Sequence, residues 1–185
     1  MTLYALALFL HVAGALGLFI AIGLEWTSLP RLRRAASVEQ ARTWLGVLGS
    51  LGPIGGPSAL ALLVTGIYMM VTVWRGAAWP GIGLIAMVLI AVLGGVLTGR
   101  RVGSIAQALP AEAGPLPPAL AERVRDPVLV LSARLRAALA LGVVFIMCTK
   151  PGMVGSLTAM GAALVIGLAA GLPAVQARTA ALRAE

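Results

Sequence analysis

Leu3–Glu25 reads LYALALFLHVAGALGLFIAIGLE, and how this stretch is understood decides the fold. From Leu3 to Gly23, 21 residues pass with no charge beyond a titratable imidazole, His11, the one histidine of the chain. As an α-helix that length crosses the roughly 30 Å hydrocarbon core of a bilayer. On a helical wheel of about 100° per residue, Tyr4, Ala7, His11, Gly14, Ala15, Leu18 and Glu25 fall on one side. The rest of the circumference is Leu, Phe, Ile and Val. An imidazole or carboxylate facing lipid is costly, so the small and polar side is expected to face protein.

The remainder of the chain extends this pattern. Of 185 residues, 60% are hydrophobic and 11% charged, against about 25% charged in a soluble domain. That composition predicts an all-α, polytopic transmembrane helix bundle forming a single domain over residues 1–185. The net charge of +8 does not point to nucleic acid. The arginines sit at helix ends and in short loops, where topology accounts for them, so the partner expected is the lipid bilayer. The lone Cys148 excludes an intrachain disulfide. The first apolar run has no basic segment before it and is longer than a signal peptide's, so it is expected to be a retained helix.

Five spans are expected, at about 3–24, 57–74, 81–98, 127–149 and 153–172. Pro30 with Arg31, Arg33 and Arg34 is expected to end the first. Trp44–Trp74 is 31 uncharged residues, too many for one straight span. Its GPIGGPS segment, Gly52–Ser58, is expected to break the helix, leaving residues 44–51 as an interfacial lead-in. The alternatives are one long kinked helix here and a four-span chain. Arg100 and Arg101 are expected to stop the third span, followed by a Pro-rich loop with short surface helices. Asp126-Pro127 is a helix start, a capping side chain followed by proline in the first turn. Gly167 and Gly171 form a small-xxx-small pattern for close helix approach.

Five spans put Arg31, Arg33, Arg34, Arg42, Arg100, Arg101, Arg123, Arg125, Arg134, Arg136, Arg178 and Arg183 on one side. Only Arg75 and Lys150 remain for the other, whereas four spans would scatter the charges. The positive-inside rule then places the C-terminus in the cytoplasm and the N-terminus outside, in a cell inner membrane.

Orientation gives depth. His11 lies about 12 Å in from the outer end of its helix. Tyr68, Met69 and Met70, Met87, Met147 and Cys148, and Met153 and Met160 all fall in the same outer half. Imidazole, thioether and thiolate are ligands for Cu(I), and His with Met is an axial pair for haem iron. The candidate cofactor contacts are His11, Tyr68, Met69 and Met70, and the candidate metal ligands His11, Met147, Cys148 and Met153. The bland alternative is methionine as filler between helices and His11 as an interhelical hydrogen-bonding group. One histidine excludes a haem held by two histidines of this chain. Glu25 is set either to pair with Arg134 or Arg136 near the cytoplasmic interface, or to reach water there as they do. No nucleophile elbow, phosphate loop, CxxC or HExxH pattern occurs, so nothing assigns an enzyme class.

LFLHVAGALGLF in the first helix, the Arg cluster after it, and a late arginine-bearing helix running into VVFIMCTKPG resemble a family of uncharacterised bacterial integral membrane proteins. More distantly the chain is similar to the membrane domain of the copper-resistance protein CopD and to HemJ-type protoporphyrinogen oxidases. The resemblance implies a haem- or copper-binding role for His11, and Lys150-Pro151 matches the family's late Lys-Pro. The chain departs from the two better-known groups in having no second histidine. Three functions stay open at this point: haem or soft-metal binding for redox or metal handling, a non-catalytic membrane subunit or homo-oligomer, and a small oligomeric transporter.

Overall fold

The computed structural model describes residues 2–184, with side chains described for 2–176. Arg178 and Arg183, counted above with the basic side, lie outside the described side chains, and Glu185 outside the described residues. The chain folds as helices α1 (Leu3–Arg33), α2 (Val38–Gly49), α3 (Leu51–Thr72), α4 (Ala78–Val92), α5 (Arg100–Gln107), α6 (Pro118–Val124), α7 (Pro127–Thr149) and α8 (Met153–Ala184). A π-helical segment, Leu93–Gly99, joins α4 to α5 without a break. Five stretches are long and apolar enough to cross a membrane: Leu3–Arg33, Val38–Thr72, Ala78–Gln107, Pro118–Thr149 and Met153–Gln176. The protein is a multi-pass integral membrane protein, an all-α bundle.

Local chemistry sets the helix starts. Thr2 caps α1 by accepting from the Ala5 amide, Ser37 caps α2 through Gln40, and Asp126 caps α7 through Val128 at 2.9 Å. Pro127 follows at the first helical position, where a missing N–H costs nothing.

The helix ends run further than the expected boundaries. α1 continues through Pro30 to Arg33, because a proline in the last turn forfeits one hydrogen bond at a position already close to the helix end. GPIGGPS does not break the second span: α3 is helical across it, and α2 runs into α3 with Ser50 at the junction (φ −72°, ψ −10°). This is the long helix weighed above as an alternative, within a five-span chain. Pro53 lies in the first turn of α3, and Ser58 Oγ donates to the Ile54 carbonyl at 2.7 Å near the Pro57 interruption. In lipid no water competes for the backbone, so glycine's helix penalty of about 1 kcal/mol is tolerated. Arg100 and Arg101 do not stop the third span either. The helix carries on to Gln107, with Arg101 paired to Asp126 at 3.0 Å and donating to the Leu97 carbonyl.

α7 is the central helix: half of its apolar window is buried, against 17–28% for the other spans. One core cluster, including Leu62, Met87, Ile90, Leu139 and Ile146, fills the middle of the bundle. A second, including Leu32, Leu45, Ile105, Val124 and Leu129, closes the arginine-rich end. At that end Ser37 pairs with Pro115, and Arg42 donates to the Pro110 and Ala111 carbonyls, which ties the loop before α6 to α2. Phe9, Leu16, Leu60, Ile85, Val154 and Val165 are exposed along the flanks, as lipid-facing side chains should be.

Glycine brings two helix pairs into close contact. A Cβ at Gly14 of α1 would sit 3.0 Å from the Ser58 carbonyl of α3. A Cβ at Gly167 of α8 would sit 2.8 Å from Leu135 Cα of α7, and Gly171 is crowded in the same way by Leu131. The small-xxx-small pattern is therefore spent inside the chain. Gly161 of α8 faces open space. Gly167→Leu should lower stability by about 1–3 kcal/mol by overpacking against α7, while Gly161→Leu stays near wild type. Thermal unfolding in mild detergent measures both.

Candidate functional site

The half of the bundle holding the N-terminus carries a cavity of about 510 Å³ between α1, α3, α4 and α7, partly open along the flank at Leu8, Val12, Ile67 and Val144. Its lining is mostly apolar, and it includes His11, Met69, Met70, Met87, Met147 and Cys148. Thioethers from three helices and the one imidazole thus meet at one void. Tyr68, Met153 and Met160, grouped with them by depth, are not among its lining residues: Met153 is 63% exposed on α8, and Met160 is buried in the core. The reason is angular. Depth follows from position along a helix, but facing follows from how each helix is rotated against its neighbours.

His11 is buried, and its environment sets its tautomer. Nδ1 lies 2.9 Å from Thr65 Oγ1, and Thr65 gives its single hydroxyl proton to the Ala61 carbonyl at 2.5 Å. The hydroxyl must then accept from Nδ1–H, which leaves the lone pair on Nε2. A ring nitrogen held this way by a hydrogen-bond partner is the arrangement found behind metal-ligating histidines. Gly66 allows the close approach: a Cβ there would lie 3.4 Å from His11 Cε1. Thr65 was not singled out in the sequence, though a hydroxyl within the otherwise apolar run 59–67 is a readable sign. Among the described residues, no three His, Cys, Asp or Glu side chains come together. A metal in this chain would therefore depend on the thioethers.

A second polar assembly lies toward the arginine-rich end. Arg136 of α7 donates to Glu25 of α1 and to Thr98 Oγ1 at 3.1 Å. Thr98 donates to Ser132 Oγ at 3.1 Å, and Ser132 donates to the Leu93 carbonyl at 3.2 Å. Each hydroxyl spends its one proton in one direction, so the network is internally consistent. Gly94, in the π-helical segment, makes room: a Cβ there would lie 3.3 Å from Arg136 Nη1. The Glu25 and Arg136 side chains are 3% and 12% exposed. Arg134 is elsewhere, its guanidinium 4.0 Å over the Trp26 ring at the interface. His11 and Glu25 are separated by 14 residues of α1, about 21 Å, so the two sites are distinct.

No family model, curated protein or solved structure matches this chain.

Removing one partner of the buried pair leaves an uncompensated charge at a cost of about 3–5 kcal/mol. Glu25→Ala should therefore destabilise strongly, and Glu25→Ala combined with Arg136→Met should recover much of the loss. Unfolding midpoints of the wild type and the two variants check this.

Proposed function

We propose that this protein binds a soft electrophilic centre at His11, with Cu(I) or haem iron as the bound species and redox or metal handling as its role. The observation that carries the reading is His11, its Nδ1 occupied by Thr65, on a cavity also lined by Met69, Met70, Met87 and Met147. One neutral imidazole with several thioethers is a donor set that selects Cu(I) over harder cations. The same pair of ligand types serves as the axial set of haem iron, and a void of about 510 Å³ falls within the range of cofactor pockets. Haem or copper would supply one-electron chemistry there. The protein's part is to hold Nε2 deprotonated, to offer sulfur ligands, and to keep the site largely dry. The resemblance to CopD- and HemJ-type proteins supports the same role for His11.

The transporter reading loses the unwound segment that prompted it, and the subunit reading loses one of its supports, the glycine faces. Gly167 and Gly171 pack on α7 of the same chain, and GPIGGPS is helical rather than unwound.

The orientation we assign has the N-terminus outside and the arginine-rich end in the cytoplasm of the inner membrane. In a Cys148→Ser background, an impermeant maleimide added to intact cells should label Gly152→Cys and not Ala111→Cys; the reverse pattern overturns the assignment.

Protein purified in mild detergent, alone and after addition of haemin or Cu(I), tests the site. The expected result is either a Soret band or stoichiometric copper, lost on His11→Ala and weakened on Met69→Leu with Met87→Leu. If neither haem nor Cu(I) binds the wild-type protein, the reading fails.

A further inference from the structure

At its membrane-surface end the cavity meets a feature that ligation by His11 does not use. Lys150 lines the cavity, with Nζ 4.4 Å over the Trp74 ring. Trp74 packs edge-on against Trp79 at 5.3 Å, and both line the same mouth. Arg75 borders a second hollow of about 440 Å³ that shares Met70 and Trp74 with the first. Arg75 Nε donates to the Val71 carbonyl, and its terminal nitrogens make no further hydrogen bond among the described residues. Lys150 thus lies over Trp74 in the first cavity, and Arg75, the next residue after Trp74, borders the hollow that shares Trp74 with it.

Neither has a counter-ion among the described residues. The described ion pairs are Arg101–Asp126 and Glu25–Arg136. Among the described residues the acidic side chains, Glu25, Glu39, Glu112, Glu122 and Asp126, all belong to the other half of the bundle. Topology does not call for these cations either, since the basic bias lies at the opposite end. Lys150 is held in place at some conformational expense: it ends α7 in the left-handed region, φ 48°, which is uncommon for a residue other than glycine. The cavity below them is apolar and long. Along α1 its lining reaches from Tyr4 to Phe19, about 22 Å by helix rise, more than the depth of one leaflet's hydrocarbon.

We infer that Lys150 and Arg75 form an anion subsite at the cavity mouth, and that the ligand they receive is a long-chain carboxylate whose tail descends past Met70 and Met69 toward His11. The inference rests on the cavity being a ligand site, and on the centre at His11 being a single ion, since a haem would take up the volume the tail needs. A single ion at His11 would leave most of the volume for such a tail. The two cations recognise the carboxylate by charge-assisted hydrogen bonds. The Trp74–Trp79 pair sits at head-group level, where tryptophan is favoured.

The test uses Trp26→Phe with Trp44→Phe protein, which leaves Trp74 and Trp79 as the reporters, in nanodiscs of zwitterionic lipid at about pH 9, where a carboxylate is ionised and lysine remains charged. Dibromostearate should quench saturably, and dibromostearyl alcohol only by partition into the bilayer. Lys150→Gln with Arg75→Gln should weaken carboxylate quenching about tenfold or more while leaving the alcohol response unchanged. That unchanged response, with an unaltered melting temperature, shows the variant to be folded. His11→Ala should leave carboxylate affinity within about twofold, so failure at His11 is distinguishable from failure at the mouth. Equal affinity for acid and alcohol, non-saturable quenching by the acid, or no effect of the double substitution would overturn the inference.

Discussion

Arg136 and Glu25 meet across α7 and α1 inside a bundle whose outer surface faces lipid, and the lower half of the structure is arranged around that meeting. A charge in hydrocarbon has no water to turn to, so it must find its partners within the protein. Each further partner here is a hydroxyl or a backbone carbonyl: Thr98 and the Leu93 carbonyl from the π-helical segment, and Ser132 one turn back on α7 itself. The widened turn of the π-helix and the missing side chain at Gly94 let the guanidinium lie against the third span. The same requirement explains why α7 is the most buried helix, for it carries the arginine that the others surround.

The upper half answers the same constraint differently. His11 satisfies Nδ1 with Thr65 and lines a void instead of packing wholly against its neighbours. Elsewhere the helices close on one another through glycine, as at Gly14 against Ser58 and Gly167 against Leu135. Against this close packing, the cavity is a region of the core left open around a titratable side chain. The two halves therefore divide their roles: a locked polar network below, and an open site around His11 above.

Helix count, lipid-facing flanks and the inward stripe of α1 were legible because they depend on length and period alone. Leu3–Gly23 is long enough to span whatever its neighbours do, and Ala7, His11, Gly14 and Glu25 are buried on the side their spacing marks. Helix ends were less legible. Pro30, GPIGGPS and Arg100-Arg101 carry stop signals calibrated on water-exposed chains, and in lipid the backbone has no alternative partner once a helix is interrupted. The helix therefore continues through them.

By itself the sequence determined that the chain is an all-α membrane bundle, that its arginines gather at one end, and that His11 and the sulfur side chains share a depth. The tertiary structure alone decided which of them share a space. Met69, Met70, Met87, Met147 and Cys148 open onto the His11 cavity while Met153 and Tyr68 do not, and Glu25 takes Arg136 while Arg134 takes Trp26. The physical reason is rotation about the helix axis. Rise along a helix is constant and can be counted from the chain, whereas the angle each helix presents to its neighbours is set by glycine contacts and buried hydrogen bonds between residues far apart in sequence.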